Sequence, residues 1–135
     1  MTRKKDSLQL KLRVAIEAAQ EKQAVDITVL RLTGAFAEYF LLCSGQSTPQ
    51  LQAISDAIEE RLGRQRVRLA HREGKVGAEW VLLDYGGFVV HIFSDRARQY
   101  YDLERLWRTA ERVDFPASDY PAKPRDESEG GTTEA

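Results

Sequence analysis

The sequence predicts an α/β (α+β) domain, a single mixed β-sheet of about five strands with helices packed on it. Two amphipathic helical patterns are separated by runs of β-branched and aromatic residues of strand length. Two further strand-like runs follow one another directly, which is typical of an antiparallel hairpin within a mixed sheet. The 135 residues, 42% of them hydrophobic, suffice for one two-layer core and not for two substantial domains.

The first helix and the first strand are predicted from side-chain spacing. Residues 7–22 repeat apolar side chains on one face at helical intervals, and Asp6 or Ser7 can cap the N-terminus. Residues 26–32 alternate and carry β-branched side chains, which predicts a strand. The Thr-Gly pair that follows ends this strand.

The middle of the chain predicts a buried strand followed by a capped helix. Residues 38–44 form an almost continuous apolar run, as in a central strand that is covered on both faces. Ser47 and Gln50 have the spacing of a capping box, so a helix is expected to begin there. Gly63 lies where a C-terminal cap would end this helix.

An alternating basic segment follows that helix. Arg64, Arg66 and Arg68 alternate with less polar residues as far as Leu69. Such alternation predicts an edge strand whose charges discourage aggregation. The alternative interpretation is that the three arginines bind RNA directly.

A hairpin and a helix complete the predicted domain. Residues 79–85 and 88–93 are strongly apolar strands joined by the two-residue turn Gly86-Gly87. This turn places Tyr85 opposite Phe88, and the pairs continue along the strands to Trp80 opposite Phe93. A final helix is predicted from about residue 95 to residue 110.

The two faces of this hairpin differ in character. Side chains alternate along a strand, so one face is apolar throughout and is expected to bury against the helices. That face carries Val81, Leu83, Tyr85, Phe88, Val90 and Ile92. The opposite face mixes aromatic side chains with an acid and an imidazole. It carries Trp80, Leu82, Asp84, Val89, His91 and Phe93.

Two interpretations of the mixed face compete. In the first, a helix covers the face and Asp84 hydrogen-bonds to His91 as a buried polar pair. In the second, the face is a partner-binding patch whose aromatic side chains supply the binding energy. A catalytic Asp84–His91 dyad is the weakest interpretation, because the pattern places no serine or cysteine nucleophile beside it.

Other catalytic or metal-binding patterns are weak in this sequence. Cys43, the single cysteine, is expected to be a buried structural residue, and no Cys/His spacing suggests a metal site. Residues 44–48 precede a helix as a phosphate-binding loop would, but the sequence has no Walker lysine, GxGxxG motif or paired carboxylates. We therefore expect no enzyme, no cofactor and no metal. An unorthodox nucleotidyltransferase that uses this loop is the alternative.

Charge divides the chain into a body and a tail. The net charge is −1, with −4 on residues 114–135 and +3 on residues 1–113. The tail is rich in proline and acidic residues, so we expect a domain over residues 1–113 and a disordered acidic tail over 114–135. No apolar run is long enough to cross a membrane and no signal peptide is visible, which favours a cytoplasmic location.

Several of these segments resemble the Iojap-like ribosomal silencing factors. The matching segments are EYFLLCSGQST (38–48), QAISD (52–56), EWVLLDYG (79–86), VVHIF (89–93) and YYDLERLW (100–107). They occur in the family's order and the resemblance covers about residues 7–110. The chain departs from the family at Glu38 and Gly87, where Asp is usual, and at Pro49, where a basic residue is usual.

The resemblance implies a nucleotidyltransferase-like fold without an enzymatic role. Family members bind the large ribosomal subunit through its protein fourteen, close to ribosomal RNA, and are dimeric when free. They block joining of the small subunit under nutrient limitation or in stationary phase. The docking residues implied here are Trp80, Leu82, Asp84 and His91, with Tyr100, Tyr101 and Leu103 as neighbours. Leu106 and Trp107 are expected in the core.

Overall fold

A six-stranded mixed sheet lies at the centre of the molecule, with helices on both of its faces. The computed structural model describes residues 4–33, 37–106, 108 and 110–113. Its elements are α1 (Lys4–Glu21), β1 (Val25–Arg31), β2 (Tyr39–Gly45), α2 (Thr48–Arg64), β3 (His71–Glu73), β4 (Trp80–Asp84), β5 (Phe88–Ser94), α3 (Asp95–Tyr101), α4 (Leu103–Leu106) and β6 (Glu111–Val113). The strands lie in the order β3-β4-β5-β2-β1-β6. The predicted fold class is confirmed, with six strands where about five were expected.

The pairing of β2 with β5 makes the sheet mixed. These two strands are parallel, whereas the other neighbours are antiparallel. Parallel neighbours require a long crossover, and the chain provides it through α2, β3 and β4. All seven residues of β2 are buried, as the apolar run predicted, because helices cover the sheet on both sides.

Alternate side chains of the central strands enter two separate hydrophobic clusters. Helices α1 and α2 pack on one face of the sheet and α3 and α4 on the other. The first cluster includes Leu12, Ile16, Leu41, Leu51, Ile54, Val90 and Ile92. The second includes Phe40, Leu42, Val89, Phe93, Ala97 and Leu103. The apolar hairpin face is therefore buried against helices, as predicted.

The β4–β5 hairpin has the predicted register. Its cross-strand pairs include Trp80–Phe93, Leu82–His91 and Asp84–Val89. Gly86 has a φ of +90°, a conformation that L side chains rarely adopt. Its neighbour Gly87 lies against α1, since a Cβ at Gly87 would be 2.8 Å from Leu8 Cδ1. Helix α1 thus covers one side of the turn, at Gly87, while Gly86 is exposed.

The two long helices begin differently from one another. Helix α2 has the predicted cap, because Ser47 Oγ accepts a hydrogen bond from the Gln50 amide at 3.2 Å. The Gln50 side chain accepts from the Gln46 amide at 2.6 Å, so the reciprocal bond reaches one residue further back than a capping box requires. Helix α1 begins at Lys4, before the predicted cap at residues 6–7.

The predicted edge strand over residues 64–69 is wrong. Helix α2 passes through Gly63 and ends at Arg64, and Val67 N–H then closes its last turn on the Leu62 carbonyl at 3.0 Å. Val67 and Leu69 do point towards the first cluster, so the alternation is real, but the ladder of hydrogen bonds starts only at the Ala70 amide. The edge strand is β3, three residues long.

The single helix predicted over residues 95–110 is also wrong. Asp102 adopts a φ of +48°, and this left-handed residue ends α3 and separates it from α4. The chain then forms β6, which pairs with β1 in antiparallel fashion. Trp107, the side chain of Leu106 and the tail over residues 114–135 lie outside the described residues, so their predictions stay predictions. No described helix has the length and hydropathy needed to cross a membrane.

Candidate protein-binding surface

The outer face of β4 is the part of the sheet that the C-terminal helices leave incompletely covered. Helix α3 packs on β5 and β2, and Trp80, Leu82 and Asp84 of β4 remain half-buried. Tyr100 and Tyr101 of α3 continue this surface and are 80% and 46% exposed. We call these five residues the aromatic face. Exposed aromatic side chains grouped in this way are typical of protein-binding sites.

Trp80 is the centre of this surface and is held in one orientation. Its ring lies between those of Phe93 and Tyr101, with centroid distances of 5.1 and 4.6 Å. Its indole Nε1–H donates to Nδ1 of His91 at 3.1 Å. An aromatic side chain fixed by both ring packing and a hydrogen bond loses little conformational entropy on binding a partner.

His91 lies beneath the aromatic face and is not part of its surface. The side chain is 3% exposed, and burial lowers the pKa of its imidazole to about 4. Its ring packs edge-on to Phe40, with 4.5 Å between centroids. His91 is therefore neutral at pH 7 and acts on the surface through Trp80.

The expected hydrogen bond between Asp84 and His91 is not formed. Asp84 Oδ1 accepts from the Gly86 amide at 2.8 Å and stabilises the hairpin turn. His91 uses its Nδ1 for Trp80, and among the described residues its Nε2 has no hydrogen-bond partner. Both the buried Asp84–His91 pair and the catalytic dyad are therefore wrong.

The remaining predicted docking residue, Leu103, is buried in the second cluster at 8% exposure. Together with Val89 and Phe93 it supports the aromatic face from below. The mixed face of the hairpin is thus divided, with its β5 residues covered by helices and its β4 residues half-exposed. Coverage by helices, which the first interpretation expected, is found on β5, whereas β4 has the exposure that the second interpretation requires.

Two polar residues on this face were not predicted. His71 and Glu73 of β3 lie opposite Asp84 and Leu82, so their side chains project to the same side of the sheet. The two side chains form a hydrogen-bonded pair and both are exposed. Sequence reasoning missed them because the edge strand was placed at residues 64–69. The only signal was the polar alternation directly before Gly74, which is weak.

A second polar pair borders the other end of β4. Glu79 forms an exposed ion pair with Arg96 and accepts a hydrogen bond from Ser94 Oγ at 2.9 Å. The hydrogen bonds from Arg96 and Ser94 lower the pKa of Glu79. An apolar centre with charged residues at its border is the usual anatomy of a protein interface.

The serine–glycine segment considered as a phosphate loop has structural roles here. Ser44 is buried and its Oγ accepts from Arg98 at 3.0 Å, while Ser47 caps α2. The neighbouring Cys43 is buried too, and burial raises the pKa of its thiol to about 12. The positive charge of Arg98 acts in the opposite direction but is the smaller effect. Within the described part of the chain, no three His, Cys, Asp or Glu residues are grouped to hold a metal ion.

Comparison with known proteins assigns the family. The sequence profile described as "Ribosomal silencing factor during starvation" matches residues 4–135. The chain belongs to the ribosomal silencing factor family. A family member from Bacillus subtilis, named ribosomal silencing factor RsfS, is 40% identical over 106 residues, which are 77% of this chain and 90% of the relative. The resemblance drawn from the sequence is thereby confirmed.

Solved structures agree with this membership of the ribosomal silencing factor family. A crystal structure of a Bacillus halodurans protein matches with a TM-score of 0.71 and 36% identity, over 79% of this chain and 99% of that one. A crystal structure from Chromobacterium violaceum matches with a TM-score of 0.70 and 31% identity, over 81% and 92% of the two chains. The mixed sheet that positions the aromatic face is therefore the fold of these related proteins.

Proposed function

We propose that this protein is a translational repressor that binds the large ribosomal subunit and prevents the small subunit from joining it. Its partner on the subunit is large-subunit protein fourteen, as the family resemblance implies, and the protein acts in the cytoplasm under nutrient limitation or in stationary phase. Membership of a family whose relatives are named ribosomal silencing factors supports this role. The free protein is a homodimer by the same resemblance.

The single observation that carries the proposal is the fixed, half-exposed indole of Trp80. It is oriented by His91 Nδ1 and packed between two rings, beside the exposed Tyr100. Residues of this type, near the centre of a patch, supply most of the affinity in protein interfaces. Because the ring is already immobilised, binding does not have to order it.

The shape of the surface favours a protein partner over a small substrate. The aromatic face lies on one side of an open sheet, whereas small molecules bind in concave pockets. Asp84 and Glu73 add negative charge at its border, which suits basic side chains on the partner. To block subunit joining sterically, the protein needs only to occupy its site on the large subunit.

Repression by occupancy needs no covalent chemistry, and the buried titratable groups of the sheet suit that mechanism. The neutral imidazole of His91 is already engaged at Nδ1, and the thiol of Cys43 has a pKa of about 12. Neither group is arranged to activate a nucleophile at pH 7. We therefore expect inhibition to follow the fraction of large subunits that carry the protein.

The test is a subunit-joining assay with purified components. Separated large and small subunits are mixed with increasing amounts of the protein, and joined ribosomes are measured by sedimentation. We expect joining to fall in proportion to bound protein, to saturate at about one copy per large subunit, and to need no nucleotide. Inhibition at far lower ratios, or only with a nucleoside triphosphate, would overturn the steric mechanism.

A further inference from the structure

A basic connector links α2 to β3 at the same edge of the sheet as the aromatic face. It contains Arg64, Arg66 and Arg68, all of them exposed. Arg64 pairs with Glu60 one turn earlier in the helix. Within the described residues, Arg66 and Arg68 have no hydrogen-bond or ion-pair partner for their guanidinium groups. Two uncompensated positive charges therefore lie two residues apart on one short segment.

Arg66 occupies a backbone position that favours glycine. Its φ is +61°, and its amide bonds the Gly63 carbonyl at 2.9 Å while the Val67 amide bonds the Leu62 carbonyl at 3.0 Å. This pair of bonds is a Schellman motif, whose left-handed residue is most often glycine because a Cβ is unfavourable there. Arginine at this position costs stability that glycine would restore.

The connector is held rigidly on both sides of Arg68. Val67 and Leu69 pack against the first hydrophobic cluster. One residue later, the Ala70 amide donates to the Asp84 carbonyl at 2.8 Å, so the connector runs directly beside a residue of the aromatic face. Arg68 lies within about 7 Å of Ala70 along the backbone, the span of two extended residues. The connector thus reaches the edge of the sheet beside Asp84, at the border of the proposed docking site.

We propose that Arg66 and Arg68 bind backbone phosphates of the ribosomal RNA next to the docking site. The inference rests on the proposed function, because it requires the aromatic face to dock on the large subunit. A guanidinium group donates two parallel hydrogen bonds to phosphate oxygens, and such contacts position a protein without reading base sequence. The positive body of the chain, +3 over residues 1–113, has the complementary sign.

Arg66→Gly is the informative variant, because it removes the charge and relieves the strained backbone at once. Gln23 provides a matched control. It has a φ of +64°, and its amide and that of Ala24 bond the Gln20 and Ala19 carbonyls in the same arrangement after α1. Gln23→Gly and Arg66→Gly should raise the thermal midpoint by similar amounts. Only Arg66→Gly should weaken binding.

Binding is measured with purified large subunits over a series of salt concentrations. We expect Arg66→Gly to weaken affinity about tenfold at about 0.1 M salt, and to lower the slope of log affinity against log salt by about 1. The double variant Arg66→Gly/Arg68→Gln should lower this slope by about 2. Gln23→Gly should bind as the wild type does.

A second arm uses isolated large-subunit protein fourteen in place of the subunit. Arg66→Gly should bind this protein as tightly as the wild type, because the phosphates are absent. An equal loss of affinity in both arms would mean that Arg66 contacts an acidic protein surface, and it would overturn the RNA inference. An unchanged slope of log affinity against log salt on large subunits would overturn it as well. Failure of the wild type to bind subunits at all would overturn the proposed function itself.

Discussion

The indole N–H of Trp80 donates a hydrogen bond to Nδ1 of His91 across the β4–β5 hairpin, at 3.1 Å. The two residues are diagonal neighbours on one face of the sheet, since His91 lies opposite Leu82. An imidazole that accepts at Nδ1 carries its proton on Nε2 and is uncharged. The orientation of the half-exposed indole therefore depends on the neutral state of a buried histidine.

His91 should make the protein less stable at acidic pH. Burial lowers the pKa of His91 from 6.5 to about 4 in the folded protein, so the unfolded chain takes up the proton first. Its contribution to the free energy of unfolding is complete above pH 6.5 and is lost as the pH falls towards 4. The loss is at most about 3 to 4 kcal/mol, at roughly 1.4 kcal/mol per pKa unit. Urea unfolding at a series of pH values measures it.

His91→Gln is the comparison for this pH dependence. Glutamine can still accept from Trp80 but does not titrate, so the variant should have a flatter stability profile between pH 6.5 and 4. Its binding of large subunits should also change less over that range than binding by the wild type. Identical profiles for the two proteins would show that another group titrates.

Trp80→Ala should leave the domain folded and weaken binding of the large subunit by about 2 kcal/mol or more, roughly 30-fold in Kd. The reason is the position of Trp80 at the centre of the aromatic face. Leu10→Ala is the control, because Leu10 is 49% exposed on α1, away from this face. Binding that is equally reduced in both variants, or an unfolded Trp80→Ala, would contradict the assignment of Trp80 as an anchor.

Gly74→Ala should destabilise the protein more than Gly77→Ala. Both glycines have positive φ, +101° and +90°, so alanine strains either backbone by about 1 kcal/mol. At Gly74 the added Cβ would also lie 2.7 Å from the backbone oxygen of Trp80, which must then shift. At Gly77 it would meet no atom of the described residues within 4 Å.

The expected costs are about 3 kcal/mol or more for Gly74→Ala and about 1 kcal/mol for Gly77→Ala. Urea unfolding of the two variants gives the difference. The shift of β4 should also reduce subunit binding in the Gly74 variant alone. Equal costs would mean that β4 moves away from the added methyl group without resistance.

Deleting the residues after Phe115 should change neither stability nor docking appreciably. The deleted segment has few apolar residues and many charges and prolines, so burying it could not repay its ordering entropy. Thermal unfolding and subunit binding of the truncated chain are the measurements. A clear loss of affinity would indicate that the acidic tail contacts basic ribosomal protein.

Much of this structure was predictable from local patterns. The Gly86-Gly87 turn and the alternation on either side of it predicted every pair of the β4–β5 register, because a two-residue loop leaves one pairing that buries the apolar face. The hydroxyl of Ser47 predicted the start of α2, since a cap depends on residues within one turn. The motifs of the hairpin and of the last helix were enough to recognise the family.

The partner of His91 was beyond such reasoning and was decided by the tertiary structure. The register offers His91 two diagonal neighbours, Trp80 and Asp84, and the sequence pattern treats them alike. In the folded protein the Asp84 carboxylate is occupied by the Gly86 amide, and Tyr101 of α3 presses on the indole of Trp80. The coverage of the sheet by helices was also decided by the tertiary structure. Helix α3 ends at the left-handed Asp102, and β4 remains half-exposed. Spacing along a chain limits which side chains can meet, but competition among partners in three dimensions selects those that do.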